Sequence, residues 1–296
     1  MNSQLTTTSN TQAELATKKV LVVDSGVGGL SICSAIIDAI PTVEISYLSD
    51  SAAFPYGEKS ETALIDRVSK LLKHASEHLK PDLIVVACNT ASTVALPIIR
   101  SDIALPIVGV VPAIKPAAAI TQSKVIALLA TPGTVSRHYT QQLIEEFASD
   151  CQVISLGSAQ LVRHIEEYLH GGALDESFLQ TIINELKQKA LANADGDIDT
   201  VVLGCTHFPL IRETWETLEN HWQWVDSGKA IADRVKSLLA GDNTGITTAK
   251  HQSAHQHKAW FTSEVPTLAK LEHYVQQLGI QIARHENGQQ AVLHID

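Results

Sequence analysis

Four cysteines, Cys33, Cys88, Cys151 and Cys205, are spread so widely through 296 residues that no C-x-x-C pair and no Cys/His finger exists. That spacing argues against a structural zinc site and against a dithiol redox centre. Long apolar runs are also missing: none approaches the roughly 20 residues needed to cross a bilayer. The opening stretch, MNSQLTTTSNTQAELATK, has no apolar signal core. Positive charge is scarce, with 22 Lys and Arg against 32 Asp and Glu and a net charge of −10. This argues against a nucleic-acid partner or an anionic membrane surface, but not against small acidic ligands, which answer to local fields. The expectation is a cytoplasmic protein with reduced thiols.

What is present is ordinary for a soluble globular chain: 45% hydrophobic and 18% charged residues. The length suits one large or two medium domains. The organising stretch is Asp82-Leu-Ile-Val-Val-Ala-Cys88-Asn89-Thr90, and it returns as Asp199-Thr-Val-Val-Leu-Gly-Cys205-Thr206-His207. Each copy places an acid six positions before a cysteine, with an aliphatic run between. Such a run reads as a strand buried on both faces of a parallel sheet. The polar residues after each cysteine suit a helix N-terminus, at the sheet edge where α/β proteins bind ligands. A strand-end cysteine is more often inert packing than chemistry. Two of them with matching polar neighbours favour a pair of thiols approaching one ligand from opposite sides.

Taken in order, residues 1–18 read as a disordered extension. Lys19–Asp24 is a strand, followed by the glycine-rich turn Asp24-Ser25-Gly26-Val27-Gly28-Gly29 and a helix carrying Cys33 on its apolar face. The turn fails G-x-G-x-x-G because Ser31 holds the last position, so a dinucleotide site is weak. Val43–Leu48 is a second strand, and the Phe54-Pro55-Tyr56-Gly57 loop after it could let Tyr56 cover a ligand. A helix from Ser60 to about Lys80 carries His74 and His78, read as a solvated face rather than a metal site. One helix is expected over Asn89–Arg100, then a strand over Pro106–Val110. Lys124–Ala130 with Thr131-Pro132-Gly133-Thr134 echoes the first strand and its turn, which suggests an internal duplication. Val153–Leu156 is a strand, Gln160–Leu169 and Ser177–Leu191 are helices, and Glu166 is by default a surface charge. Cys151 reads as structural. A helix over Pro209–Asn220, a return near Trp224–Asp226, a helix near Pro266–Leu278 and a last strand near Ala291–Ile295 complete the chain. His251, His255 and His257 are placed in a flexible polar connection. The resulting division is 19–112 with 226–296 as one α/β domain and 113–225 as the second.

Two thiols on opposite faces of a carbon acid suit removal of a proton from one side and its return from the other. An unperturbed thiol is only about 3% thiolate at pH 7. Helix N-termini and cationic neighbours must raise that fraction, and fixed donors in the segments of Asn89, Thr90, Thr206 and His207 could hold developing carboxylate charge. Neither metal, pyridoxal phosphate nor nucleotide is needed for such chemistry.

Together DSGVGGL, the PYG loop, ACNTAS and LGCTHFPL resemble the glutamate racemases of the aspartate/glutamate racemase superfamily. The resemblance runs from about Lys19 to the C-terminal region. It implies two pseudo-symmetric, doubly wound α/β domains with mainly parallel sheets and the site in the cleft between them. It further implies a cofactor-independent isomerase interconverting L- and D-glutamate for peptidoglycan. By this resemblance Cys88 and Cys205 are the catalytic thiols, with Cys88 serving D-glutamate and Cys205 L-glutamate, and Asp24 and His207 assist them. Asp24, Ser25, Tyr56, Gly57, Asn89, Thr90, Thr206 and His207 match substrate-binding positions, and Glu166 matches an auxiliary carboxylate. The segment Leu156-Gly-Ser-Ala-Gln-Leu-Val resembles a proteobacterial branch that includes members activated by a cell-wall precursor. A homodimer is compatible with the family. The alternatives are racemisation of another acidic amino acid such as aspartate, or a two-lobed small-anion binding protein.

Overall fold

The computed structural model describes residues 17–240 and 256–295. All but the end of the expected N-terminal extension therefore lies outside the described residues, as do His251 and His255. The first half of the chain runs β1 (Lys19–Asp24), α1 (Leu30–Ala39), β2 (Glu44–Ser49), α2 (Glu61–Leu79), β3 (Leu83–Val86), α3 (Asn89–Val94), α4 (Leu96–Ile99) and β4 (Ile107–Gly109). There follow α5 (Ile114–Ile120), β5 (Val125–Ala130), α6 (Pro132–Ser136), α7 (His138–Phe147), β6 (Gln152–Gly157) and α8 (Ala159–Leu169). Next come α9 (Glu176–Asn193), β7 (Thr200–Leu203), α10 (Arg212–Leu218) and β8 (Gln223–Val225). The chain then returns through α11 (Gly228–Ala240), β9 (His257–Phe261), α12 (Leu268–Gln277) and β10 (Ile280–Ile282).

Among the described residues these strands form two sheets, ordered β10-β9-β2-β1-β3-β4 and β6-β5-β7-β8. Every strand pairing is parallel. The order β2-β1-β3-β4 is repeated as β6-β5-β7-β8, which is the duplication suggested by the two cysteine segments. β3, β5 and β7 are buried along their whole length, as strands covered by helices on both faces must be. The acid before each aliphatic run has the same task in both halves. Asp82 accepts the backbone N–H of Lys19 at 2.8 Å, at the start of β1. Asp199 accepts those of Gln122 and Ser123 at 2.7 and 2.8 Å, just ahead of β5. Each acid thus ties down the entry of the neighbouring central strand, at the opposite edge from the thiols.

Helix starts follow the side-chain chemistry. Ser60, Thr131, Ser158 and Asp175 each accept a backbone N–H three residues on, at α2, α6, α8 and α9. The segments after the thiols depart from the expected single helices. Pro97 has no N–H to continue the ladder, and the chain breaks at Ala95 into α3 and α4. Pro209 similarly leaves Phe208–Ile211 as a 3₁₀ turn before α10.

The C-terminal end differs more. Gly279, at φ +74°, stops α12 and turns the chain into β10, which pairs with β9. The expected strand over Ala291–Ile295 is absent; that stretch makes a single bridge, Val292 to Phe261. Its apolar pattern reflects Leu293 buried in the core beneath α2 rather than a ladder. His257 is not in a loop: it opens β9, and its Nδ1 accepts the Ile45 N–H at 3.1 Å.

Among the described residues no helix is long and apolar enough to cross a membrane. No group of three or more His, Cys, Asp or Glu among them is placed to hold a metal. His74 and His78 stack on each other, ring centroids 4.0 Å apart, on the outer side of α2. Cys33 is buried in the core of the six-stranded half, and Cys151 is half-buried just before β6.

Candidate active site

The carboxyl ends of the two sheets face one cavity of about 210 Å³. Asp24, Ser25, Tyr56, Gly57, Cys88, Asn89 and Thr90 line it from the six-stranded half, and Cys205, Thr206 and His207 from the four-stranded half. Every residue singled out in the sequence as a candidate for catalysis or substrate binding is therefore on its wall. Among the described residues no lysine or arginine lines the cavity; the polar groups on its wall are hydroxyls, amides, one imidazole and the carboxylates of Asp24 and Glu58.

Cys88 follows β3 and occupies the cap position of α3; its carbonyl accepts the Ser92 N–H at 2.9 Å. Its thiol is pushed well above the ordinary range, first by burial and then by the charge of Asp24, against hydrogen bonds from the Ala91 and Thr90 N–H groups. Both of the larger influences favour the protonated thiol at Cys88. Cys205 follows β7, and its Sγ lies 3.8 Å from His207 Nδ1. The other ring nitrogen of His207 is 2.6 Å from Glu166 Oε2. Burial opposes charge on His207, but the contacts to Cys205 and Glu166 outweigh it and raise the imidazole well above its usual range. An imidazolium beside a thiol is the arrangement that favours a thiolate.

Glu166 corrects the expectation of a surface charge. It projects from α8 toward the other half, where Oε2 also accepts the Val27 N–H at 2.9 Å. Burial works against its charge, yet His170, His207 and the Val27 N–H hold the carboxyl down to about 2. The glycine-rich turn exists to admit these groups. A Cβ on Gly26 would collide with the Glu166 carboxylate, and one on Gly28 with His207 Nδ1 and Thr206 Oγ1. Ser31, which spoiled the dinucleotide pattern, bonds the carbonyls of Gly28 and Thr206 at 2.8 and 2.9 Å.

Asp24 ends β1 fully buried. Its Oδ1 accepts the Ser25 N–H at 2.5 Å, and its Oδ2 the Thr206 hydroxyl at 2.8 Å across the cleft. Burial raises its pKa, opposed by His207 and those two donors. Asn89 is buried, and its Oδ1 has no protein partner. An unsatisfied buried acceptor in the wall of the cavity is a place for a ligand N–H.

Three features escaped the sequence. Asp50 is wholly buried and braces the loop of Tyr56 by accepting the Tyr56 hydroxyl at 2.7 Å, Arg67 at 2.9 and 2.6 Å, and Thr262 at 2.7 Å. Tyr56 itself is buried and lines the cavity. Thr131 also lines the cavity, opposite Gly57; its echo of Asp24 at the end of the matching strand was the available signal. Ion pairs Glu58–Arg163 and Glu61–Arg137 join the halves at the surface.

A family model described as Asp/Glu/hydantoin racemase matches residues 20–235. A glutamate racemase of Vibrio cholerae serotype O1 is 46% identical over 243 residues, 82% of this chain and 88% of its own. One from Actinobacillus pleuropneumoniae serotype 5b is 46% identical over 222 residues, 75% of this chain and 82% of its own. The crystal structure of Escherichia coli glutamate racemase with L-glutamate and the activator UDP-MurNAc-Ala superposes with a TM-score of 0.79 at 41% identity, covering 90% of this chain and 97% of that one. A parallel-stranded two-sheet fold, two thiols on one cavity and this breadth of likeness have one reading: the chain belongs to the Asp/Glu/hydantoin racemase family, on its glutamate racemase branch.

Proposed function

We propose that this protein interconverts L- and D-glutamate by proton transfer between the substrate α-carbon and two cysteines, Cys205 on one face and Cys88 on the other. The observation that carries the reading is the pair of buried thiols at the ends of matching strands, one from each half, on a single cavity. With L-glutamate, the Cys205 thiolate takes the α-proton while the His207 imidazolium stays beside it. The electron pair left on carbon delocalises into the substrate carboxylate, and the Cys88 thiol delivers its proton to the opposite face. The product is D-glutamate, with Cys205 as thiol and Cys88 as thiolate; the D to L direction is the reverse. Asp24, next to Ser25 and bonded to Thr206, is the polar group that serves Cys88. Asn89 Oδ1 is the acceptor offered to the substrate ammonium, and the Ser25, Thr90 and Thr206 hydroxyls with nearby backbone N–H groups meet its carboxylates.

The two lobes of this reading are 19–112 with 226–296, and 113–225. The chain crosses between them near Pro112 and Asp226. Activation by a cell-wall precursor belongs to the same proposal, on the likeness to the Escherichia coli enzyme, as does supply of D-glutamate for peptidoglycan. So does a cytoplasmic setting, where unpaired thiols stay reduced.

Incubation with L-glutamate or L-aspartate in D₂O tests the reading. Optical rotation should decay to zero with L-glutamate while deuterium enters C2 of the product. Racemisation of aspartate alone, or binding of glutamate without exchange at C2, would overturn it.

A further inference from the structure

The last turn of α8 is fastened to α12, which belongs to the other half. Leu169 is buried in the core of the six-stranded half. His170 Nδ1 is 2.7 Å from the Thr267 hydroxyl, immediately ahead of α12. Lys270 Nζ donates to the Gly171 carbonyl at 3.2 Å. One turn back on α8, Glu166 presents its two oxygens to different partners. Oε2 takes His207 Nε2 at 2.6 Å and the Val27 N–H at 2.9 Å. Oε1 faces His170 Nε2 at 3.5 Å. A row of side chains therefore runs from the Cys205 thiol through His207, Glu166 and His170 to Thr267.

We infer that His170 is a positioning residue for proton transfer at Cys205. A carboxylate held by one oxygen still turns about its last side-chain bond, whereas one held by both has a single orientation. The ion-pair contact of His170 with the second oxygen of Glu166 restrains that turning, which keeps the first on His207 Nε2 and the ring beside Cys205. Such outer partners orient the group that does the chemistry without touching the substrate. His170 touches Glu166 and Thr267, on the Cys205 side of the row, whereas Cys88 stands at the end of β3 at the start of α3. Removal of His170 should therefore slow only the proton transfer made by Cys205. This inference rests on the two-thiol reading in which Cys205 exchanges protons with L-glutamate.

The test uses His170→Ala, His170→Gln and Thr267→Val with C2-deuterated L- and D-glutamate. His170→Ala should lower kcat about tenfold, the scale of one charge-assisted hydrogen bond. Its primary isotope effect should grow from labelled L-glutamate, whose deuteron leaves to Cys205 in what is now the slow step. From labelled D-glutamate the effect should shrink, because Cys88 removes the label before the slow step. His170→Gln, whose amide N–H can still reach the carboxylate, should recover most of the rate. Thr267→Val keeps the ring and should give the same one-sided change, only smaller. A wild-type kcat in His170→Ala, isotope effects that rise equally on both enantiomers, or a glutamine variant no better than alanine overturns the role. Cys205→Ser run in parallel separates the two levels of argument. If that variant lacks the L-sided isotope effect, the thiol assignment itself has failed; if it shows the effect and His170→Ala does not, only the positioning role has failed.

Discussion

The two halves share a strand order and carry a cysteine after the same strand, yet the two thiols stand in different fields. Cys88 has Asp24 and backbone N–H groups for company, and burial together with the Asp24 charge pushes its thiol up. Cys205 has His207, itself charged by Glu166 behind it. The scaffold is duplicated and the chemistry is not. The matched backbones bring the two thiols to one cavity, and the groups set around them differ. The turns follow the same rule. Gly26 and Gly28 are crowded by groups from the other half, whereas a Cβ on Gly133, in the matching turn, would meet nothing nearer than the Arg137 guanidinium at 3.6 Å.

The sharpest way to break the comparison is to weaken each thiol in turn. Cys88→Ser and Cys205→Ser should each lower kcat by ~10³-fold or more, within the range of general acid–base catalysis. The ratio of kcat/KM for the two directions cannot tell the variants apart, because the enantiomers have equal free energy in water and the Haldane relation holds that ratio at one. Isotope effects can. Cys88→Ser should show its large substrate effect with C2-deuterated D-glutamate, and Cys205→Ser with the L enantiomer. The opposite assignment would mean that the two faces have been exchanged.

The neighbours come next. Asp24→Asn and His207→Asn should lower kcat by ~10²-fold with the fold intact, as judged by circular dichroism and thermal melting. The first should shift isotope effects as Cys88→Ser does, and the second as Cys205→Ser does. A wild-type kcat in either variant would return that residue to a structural role.

The smallest effect separates the two turns. Gly28→Ala forces a methyl group against the buried His207 ring and should cost about tenfold in kcat, roughly one hydrogen bond. Gly133→Ala lies in α6 with room for its methyl. It should keep wild-type kcat and gain roughly 0.5–1 kcal/mol of stability, the helix penalty of glycine removed. Equal losses in both variants would show that the turns are not as different as their surroundings suggest.

Much of this was written in local sequence. Short aliphatic runs flanked by polar residues identified β1, β3, β5 and β7, because a strand buried on both faces has few other compositions. The residues after each run located the thiols at the sheet edge, and the repeat of the pattern predicted the repeat of the topology. The broken ladder at Pro97 was equally legible, since proline has no N–H, although the expected helix over Asn89–Arg100 ran through it. Glu166, His170 and Asp50 were different. Periodicity along α8 reports only which face is less apolar, and it cannot tell that a second half covers that face. Val27 and Glu166 are 139 positions apart in the chain, and no local preference joins them. What the sequence by itself determined was the central strands of both halves and the two thiols at their ends; the strands β9 and β10 were not among them. The carboxylate behind His207, its His170 brace and the difference between the two thiols were decided by tertiary structure, because a charge takes its meaning from the groups brought against it when the two halves close on one cavity.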